Sequence, residues 1–229
     1  MDTTTKISDY PKLESPFIRE NINGKYVVIP KINEQYRWAF ESSIAVEKFD
    51  GTNVSILIED GIIKSAWNRT ERIPFFNKGK RRIIEGIYDA YEKGYTEFLA
   101  DGQHFGECIG EGINGNPYRI KGNVWYPFQH LIDNYRYKFW DKMLAETLNG
   151  KSDQQIFDEV SATFKQLWSL HKRKNFSQEF QVPSENDGFD STNFTAEGIV
   201  FYNKEDITQR CKIRRDMWSW YVGKDHKIA

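Results

Sequence analysis

The sequence predicts an α+β fold in which mainly antiparallel sheets are flanked by helices. Two observations carry that expectation: short apolar runs punctuated by two-residue turn signals, and one long tract of helical periodicity. Ser43 to Phe49 alternates as a strand, Asp50-Gly51 ends it, and Val54 to Ile58 resumes. Asp60-Gly61 reads as a hairpin turn, after which Ile62 to Trp67 pairs back and Asn68-Arg69-Thr70 closes the run. Glu197 to Tyr202 and Gln209 to Arg214 read as two late strands joined by a short turn. Between these groups, Asp133 to Lys174 is the most helical tract. There Ser152 and Gln155 form a capping box, and Ile156, Val160, Phe164, Leu167 and His171 step along one face.

The remaining stretches fill in the frame. Tyr26 to Ile29 is a strand within a lead-in of residues 1–40 that carries no evident chemistry. From Lys80 to Lys93, Ile83, Ile84, Ile87, Tyr88 and Tyr91 recur at helical spacing, with Gly94 as the stop. His104 to Gly110 reads as a strand with an acid, Glu107, in its middle, and Val124 to His130 returns to strand character. The intervening glycine-rich loop, Gly110 to Gly122, contains a formal dinucleotide fingerprint in Gly110 to Gly115. Asn116-Pro117 follows at once and leaves no room for the helix that motif needs. Trp140, Met143 and Leu144 read as core, Phe176 to Thr195 as a loop, and Trp218, Trp220 and Tyr221 as a tail packed back on the core.

Composition narrows the function classes. At 229 residues and 39% hydrophobic content the chain can bury one substantial core or two modest ones. No run approaches the roughly 18 apolar residues of a membrane span, and Met1 to Tyr10 lacks the apolar centre of a signal peptide, so a cytoplasmic, intracellular location is expected, whether the source is a cell, a virus or a phage. Cys108 and Cys211 lack metal-ligand spacing and read as buried reduced thiols. A net charge of −1 argues against coating nucleic acid by bulk electrostatics. Local cationic runs stand out at Lys78 to Arg82, His171 to Lys174 and Arg210 to Arg215; for the first two a solvated helix end is the plain alternative.

Four apolar segments each present charged groups: Lys48, Glu107, Glu197, and Lys212 with Arg214. Residues 212 and 214 point to the same side of a strand. Taken alone, Lys48 reads equally well as an ordinary strand-end lysine beside a turn. Taken together, one lysine, two carboxylates and two further cations suit nucleotidyl transfer: an amine attacks phosphorus, cations neutralise phosphate oxygens, and a carboxylate holds a metal.

The motifs make that reading specific. Lys48-Phe49-Asp50-Gly51, extended by Thr52-Asn53, then Phe105-Gly106-Glu107, Glu197-Gly198-Ile199-Val200 and Lys212-Ile213-Arg214 occur in one order along the chain. In this the chain resembles the covalent nucleotidyltransferase superfamily of polynucleotide ligases and messenger-RNA capping enzymes. Within it, the chain is similar to ATP-dependent RNA ligases of the phage RNA ligase 2 type. The resemblance covers about Ala45 to Arg215 and implies an ATP-grasp-like nucleotidyltransferase domain.

The resemblance also implies roles. Lys48 would attack the α-phosphorus of ATP and carry AMP, Glu107 would bind the ribose, and Lys212 would contact the α-phosphate. Glu197 would hold the Mg2+, with Mn2+ as a substitute, and Asn53 and Arg69 would help position ribose and phosphate. Glu47 is counted among the nucleotide-binding residues, and Phe128, with Trp125 close behind, would stack on adenine. Two departures stand out: Arg214 replaces the family's second closing lysine with a guanidinium fork, and Pro127 interrupts the aromatic strand. Arg69 reads alternatively as a hairpin-end arginine, and Asn53 as a turn residue. The implied organisation is one domain over 1–229, with a helical insertion at 133–175 and no appended oligonucleotide-binding or helical carboxy-terminal domain. The expected activity is that of a monomeric ligase joining 5′-phosphate and 3′-hydroxyl ends of nicked or single-stranded RNA, away from membranes. Alternatives are a minimal DNA ligase, a capping-like guanylyltransferase, and a binding module without turnover.

Overall fold

The computed structural model describes residues 6–118, 120–169 and 197–221. In chain order these form strands β1 (Phe17–Ile22), β2 (Lys25–Ile32), β3 (Ser43–Lys48), β4 (Thr52–Glu59), β5 (Ile62–Asn68) and β6 (Glu71–Ile73), then helix α1 (Arg81–Glu92). Strands β7 (Gly102–Gly110) and β8 (Asn123–Pro127) follow, then helices α2 (Phe128–Asn134), α3 (Lys138–Lys142) and α4 (Asp153–Ser169), and strands β9 (Gly198–Asn203) and β10 (Arg210–Arg214). Every strand pairing among the described residues is antiparallel. The α+β class expected from the sequence is the class observed. The described chain divides into two compact units, one of residues 6–12 and 50–134, the other of 13–49, 135–169 and 197–221.

In the first unit, turn chemistry builds a five-stranded sheet in the order β6-β5-β4-β7-β8. Asp60 and Gly61 both take positive φ, 54° and 70°, as a tight hairpin with the right-handed twist of its strands requires. The Asp101 carboxylate fixes that hairpin by accepting from both backbone N–H groups, at 2.9 and 3.0 Å. Alternation then sorts the side chains. Val54, Ile56, Ala66, Cys108 and Trp125 bury one face against Ile83, Ile87 and Ala90 of α1.

Two readings of this unit are corrected. The strand expected over Val124 to His130 ends at Pro127, and Phe128 opens α2, because proline has no N–H with which to extend a ladder. Tyr88 and Tyr91, expected on the core face of α1, stand 64% and 60% exposed. Ile83, Ile87 and Ala90 occupy the buried stripe, so positions 84, 88 and 91 fall on the neighbouring one.

In the second unit, β3 pairs with β9 and β9 with β10, while β1 and β2 form a separate hairpin. The pairing of β1 with the expected strand around Tyr26 to Ile29 was not legible in the sequence. An aromatic core fills the unit: Phe17 packs on Phe40 at 4.6 Å between ring centroids, Trp140 on Phe201 at 4.9 Å, and Phe164 on Trp218 at 6.0 Å. The helical tract is broken twice. Residues 135–137 interrupt it between α2 and α3, and a π-helical turn (Met143–Leu148) gives way at Asn149-Gly150, where Gly150 takes φ 73°. The capping box forms as expected: Ser152 N–H donates to Gln155 Oε1 at 3.0 Å and Gln155 N–H to Ser152 Oγ at 3.4 Å.

Ile156, Val160 and Phe164 are buried along α4. The tail packs back as expected, with Trp218 and Tyr221 buried and Trp220 Nε1 donating to Ser161 Oγ at 2.9 Å. The end of the expected helical face at His171, the basic run His171 to Lys174 and the loop Phe176 to Thr195 lie outside the described residues. Both cysteines are buried free thiols. Among the described residues no helix is long and apolar enough to cross a membrane.

Trp140 is fully buried and donates from Nε1 to Ser43 Oγ at 2.8 Å. Trp140→Ala is therefore expected to destabilise the protein by about 3–5 kcal/mol, read as a shift in the urea unfolding midpoint.

Candidate active site

Strand register assembles the first group of charges. Lys48 lies opposite Gly198, and Gly198 opposite Arg214; one row along, Val46 lies opposite Val200, and Val200 opposite Lys212. Directly paired residues and those two apart share a face, so Lys48, Lys212 and Arg214 project from one side of the three-stranded sheet. The bare row centre is a steric requirement. A Cβ on Gly198 would meet Ile213 O at 2.3 Å and Arg214 Cα at 2.8 Å, so only glycine lets β9 lie this close to β10.

Glu197 immediately precedes β9 and supplies the counter-charge. One carboxylate oxygen accepts from the Lys48 ammonium, and the other lies 3.7 Å from Arg214 Nη1. Its backbone is held in turn, since Arg215 N–H donates to Glu197 O at 3.1 Å. Arg214 also reaches Asp216 at 2.8 Å. The Lys48 and Glu197 side chains are 21% and 19% exposed, sheltered yet open to a ligand.

Lys212 is the strained member. Its backbone N–H donates to Glu14 O at 2.8 Å, but its ammonium has no hydrogen-bond or ion-pair partner among the described residues. Burial lowers its pKa below the ordinary 10.5, and the positive charges of Lys48 and Arg214 lower it further, against the opposing pull of Glu197 and Glu14.

Glu47 faces the other way. It pairs with Ile199 in the intervening row, is buried, and accepts from Tyr137 Oη at 3.1 Å. The structure therefore does not bring Glu47 to the face of the Lys48 amine. Alternation explains it, because adjacent residues of a strand cannot share a side.

The chain passes from the second unit to the first between Phe49 and Asp50. In the first unit the glycine-rich loop grips the Asp50-Gly51 turn. Asn114 Nδ2 donates to Asp50 Oδ1 at 3.0 Å and to Gly51 O at 2.6 Å, and Asp50 N–H donates to the buried Tyr118 hydroxyl. Gly51 has no space for a side chain, with Cys108 O 2.4 Å from where its Cβ would be. Asn114 and Tyr118 were not among the residues sequence reasoning singled out. The available signal was an asparagine among glycines, and Asn114 adopts φ 45° in the left-handed region that asparagine tolerates.

The other nucleotide-binding candidates lie in the first unit. Asn53, Glu107 and Tyr126 form one cross-strand row of β4, β7 and β8. Asn53 Oδ1 is buried with no hydrogen-bond partner among the described residues. Trp125, next to Tyr126, points to the opposite face, where it is fully buried and donates from Nε1 to Val54 O at 3.0 Å. Its ring belongs to the core. Phe128 is half-buried with its ring 4.8 Å from Tyr10, which also packs on Phe105 at 5.3 Å. Arg69 is exposed with φ 56° at the β5–β6 turn. Ser55 pairs with Trp67, so Arg69 lies at the Asn53 end of the sheet.

A metal finds few ready ligands. Among the described residues no group of three or more His, Cys, Asp or Glu side chains converges. Glu197 can offer a single carboxylate, which fits an ion that draws its other oxygens from a polyphosphate and water, the usual setting of magnesium.

No protein-family model and no curated protein matches the chain. Among solved structures it is similar to an RNA ligase of Naegleria gruberi. An apo mutant of that ligase gives a TM-score of 0.46 at 16% identity, over 93% of this chain and 59% of the other. A mutant solved with ATP and Mn gives 0.44 at 19% identity over 93% and 59%, and the ligase with PPi 0.44 at 19% over 93% and 60%. The chain thus spans about three-fifths of the length of that ligase.

The charge on Lys212 carries a cost that a substitution exposes. The folded state holds the Lys212 proton less tightly than the unfolded chain does. The destabilisation is therefore complete at neutral pH and is relieved as pH rises through the lowered pKa towards 10.5. Lys212→Met is expected to raise the thermal midpoint at neutral pH and to flatten its alkaline rise. Melting curves at neutral and alkaline pH read both effects; a lower midpoint at neutral pH counts against this account.

Proposed function

We propose that the protein is an ATP-dependent polynucleotide ligase of the covalent nucleotidyltransferase superfamily, acting on RNA ends. The observation that carries this reading is the convergence of Lys48, Glu197, Lys212 and Arg214 on one sheet face, contributed by three of the motifs in the family's order. A surface lysine has no use for two further cations beside it. A lysine that must meet a triphosphate does.

The Lys48 amine, freed of one proton, attacks the α-phosphorus of ATP. A P–N bond forms, the P–O bond to the β-phosphate breaks, and pyrophosphate leaves with its electron pair. Glu197 accepts a hydrogen bond from the Lys48 ammonium and is the nearest group to take the departing proton. Lys212 and Arg214 meet the charge that builds on the phosphate oxygens. Lys212 gains most, since a phosphate supplies a partner that its ammonium does not find among the described residues.

A divalent cation held through Glu197, Mg2+ or Mn2+, supplies further charge neutralisation. In the first unit, Glu107 with Asn53 binds the ribose hydroxyls, Arg69 assists at the phosphates, and Phe128 offers the ring for adenine. Glu47 acts from the opposite face by fixing β3, and so serves as a positioning residue. AMP then passes to a 5′-phosphate, and attack by a 3′-hydroxyl seals the ends and releases AMP. The Thr52-Asn53 extension of the lysine motif favours RNA ligation over capping.

The decisive experiment incubates the protein with Mg2+ and α-labelled ATP or GTP and looks for label that survives denaturation. Label from ATP that disappears in Lys48→Ala and falls at least about 100-fold in Lys212→Met is expected. No label, or label unchanged by Lys48→Ala, overturns the reading, and label from GTP alone moves it to guanylyl transfer. Nicked RNA and nicked DNA supplied to the labelled protein then separate the two ligase substrates. A second measurement concerns the turn. Asn114→Ala is expected to slow label formation about tenfold with little change in the melting curve, through loss of its hydrogen bonds to Asp50 and Gly51.

A further inference from the structure

The cationic run Lys78 to Arg82 has no part in the chemistry above, and it adjoins a cluster of exposed aromatic side chains in the first unit. Phe76 is entirely exposed, Phe75 44% exposed and Tyr88 64% exposed. Phe75, Phe76, Ile84 and Tyr88 line a groove of about 380 Å³ whose rim carries Lys78 and Arg81. Tyr91, one turn beyond Tyr88 on the same stripe of α1, extends the aromatic surface along the helix.

A soluble protein leaves such rings uncovered for a reason. The charges beside them narrow the occupant. Lys78 is exposed, and Arg81 pairs at 3.0 Å with Glu85, which also lines the groove; their side chains are 72% and 45% exposed, so the pair is weak enough for a phosphate to replace. Aromatic faces that accept bases, interleaved with cations that accept phosphates, are the recognition pattern for a nucleic-acid single strand. Lysine, here Lys78, is depleted from protein–protein interfaces, which weighs against a protein as the occupant.

We infer that the groove between the Phe75 to Lys78 turn and α1 holds a single-stranded stretch of the RNA substrate. Bases stack on Phe76 and Tyr88, and Lys78 and Arg81 contact the backbone. This rests on the RNA-ligase reading for the identity of the strand, and the test separates the two. Binding of a fluorescein-labelled unstructured RNA is followed by anisotropy at two salt concentrations, while lysyl-AMP formation is followed in parallel with ATP alone, which needs no polynucleotide. Phe76→Ala and Tyr88→Ala are each expected to weaken RNA binding about tenfold. The double change Lys78→Gln with Arg81→Gln is expected to reduce the salt dependence as well. All of these variants should form lysyl-AMP at the wild-type rate. RNA affinity unchanged in the aromatic variants, with lysyl-AMP formation intact, overturns the groove as the contact site. DNA of the same sequence bound as tightly, and weakened as much, overturns RNA as its occupant. Groove-dependent RNA binding with no lysyl-AMP in any protein leaves the contact standing and removes the ligase.

Discussion

Three cations held on one face of a three-stranded sheet, with Glu197 as the carboxylate facing Lys48, impose the constraint on which the second unit is built. Gathering like charges in a partly buried setting is unfavourable, as the lowered pKa of Lys212 reflects, so the sheet must be held in place by its packing. That support is the aromatic core around Phe40, Trp140 and Phe201, which anchors β3 and β9 from beneath, together with the tight β9–β10 packing that Gly198 permits. The segment after β10 contributes as well: the Lys25 ammonium donates to the carbonyls of Trp218 and Tyr221 and pins it to β2. The site is thus strained in its electrostatics and relaxed in its packing. A polyphosphate would reverse the sign of the problem, because the repulsion among Lys48, Lys212 and Arg214 becomes attraction for the ligand.

The four motifs look like separate signatures along the chain, yet those around Lys48 and Glu197 pair a charged residue with a glycine that packing requires. Lys48 carries the chemistry in the proposed reading, whereas Gly51 two positions past Phe49 is dictated by the carbonyl of Cys108 lying against it. Glu197 carries charge, and Gly198 beside it clears the row between Lys48 and Arg214. The glycine-rich loop adds a third kind of contribution. It binds no dinucleotide fingerprint partner in the proposed reading. Its Asn114 and Tyr118 instead tie down the turn that follows the lysine.

Much of this could be read before folding was considered. Period-two alternation and turn dipeptides located β3, β4, β5, β9 and β10, and the Ser152 and Gln155 box located the start of α4. These signals are local, so they survive without knowledge of the partner strand. The misreadings have two causes. Tyr88 and Tyr91 have the right spacing for a core face but sit one stripe away from it, and Phe128 is apolar enough for a strand but follows a proline. Periodicity reports that a face exists and leaves open which of two adjacent stripes the rest of the protein covers.

The sequence by itself determined the chemistry on offer: a lysine at a strand end, two glutamates, and a lysine and an arginine two apart, in an order that narrows the reaction class. Residue type and spacing along a strand are properties of the chain alone, and they oblige Lys212 and Arg214 to share a side. Only the tertiary structure decided which groups meet. Register put Gly198 between Lys48 and Arg214, turned Glu47 away to Tyr137, assigned Trp125 to the core, and paired Asn53 with Glu107. A shift of one residue in any of those pairings would send every side chain of the strand to the opposite face, and it is long-range packing that sets the pairing.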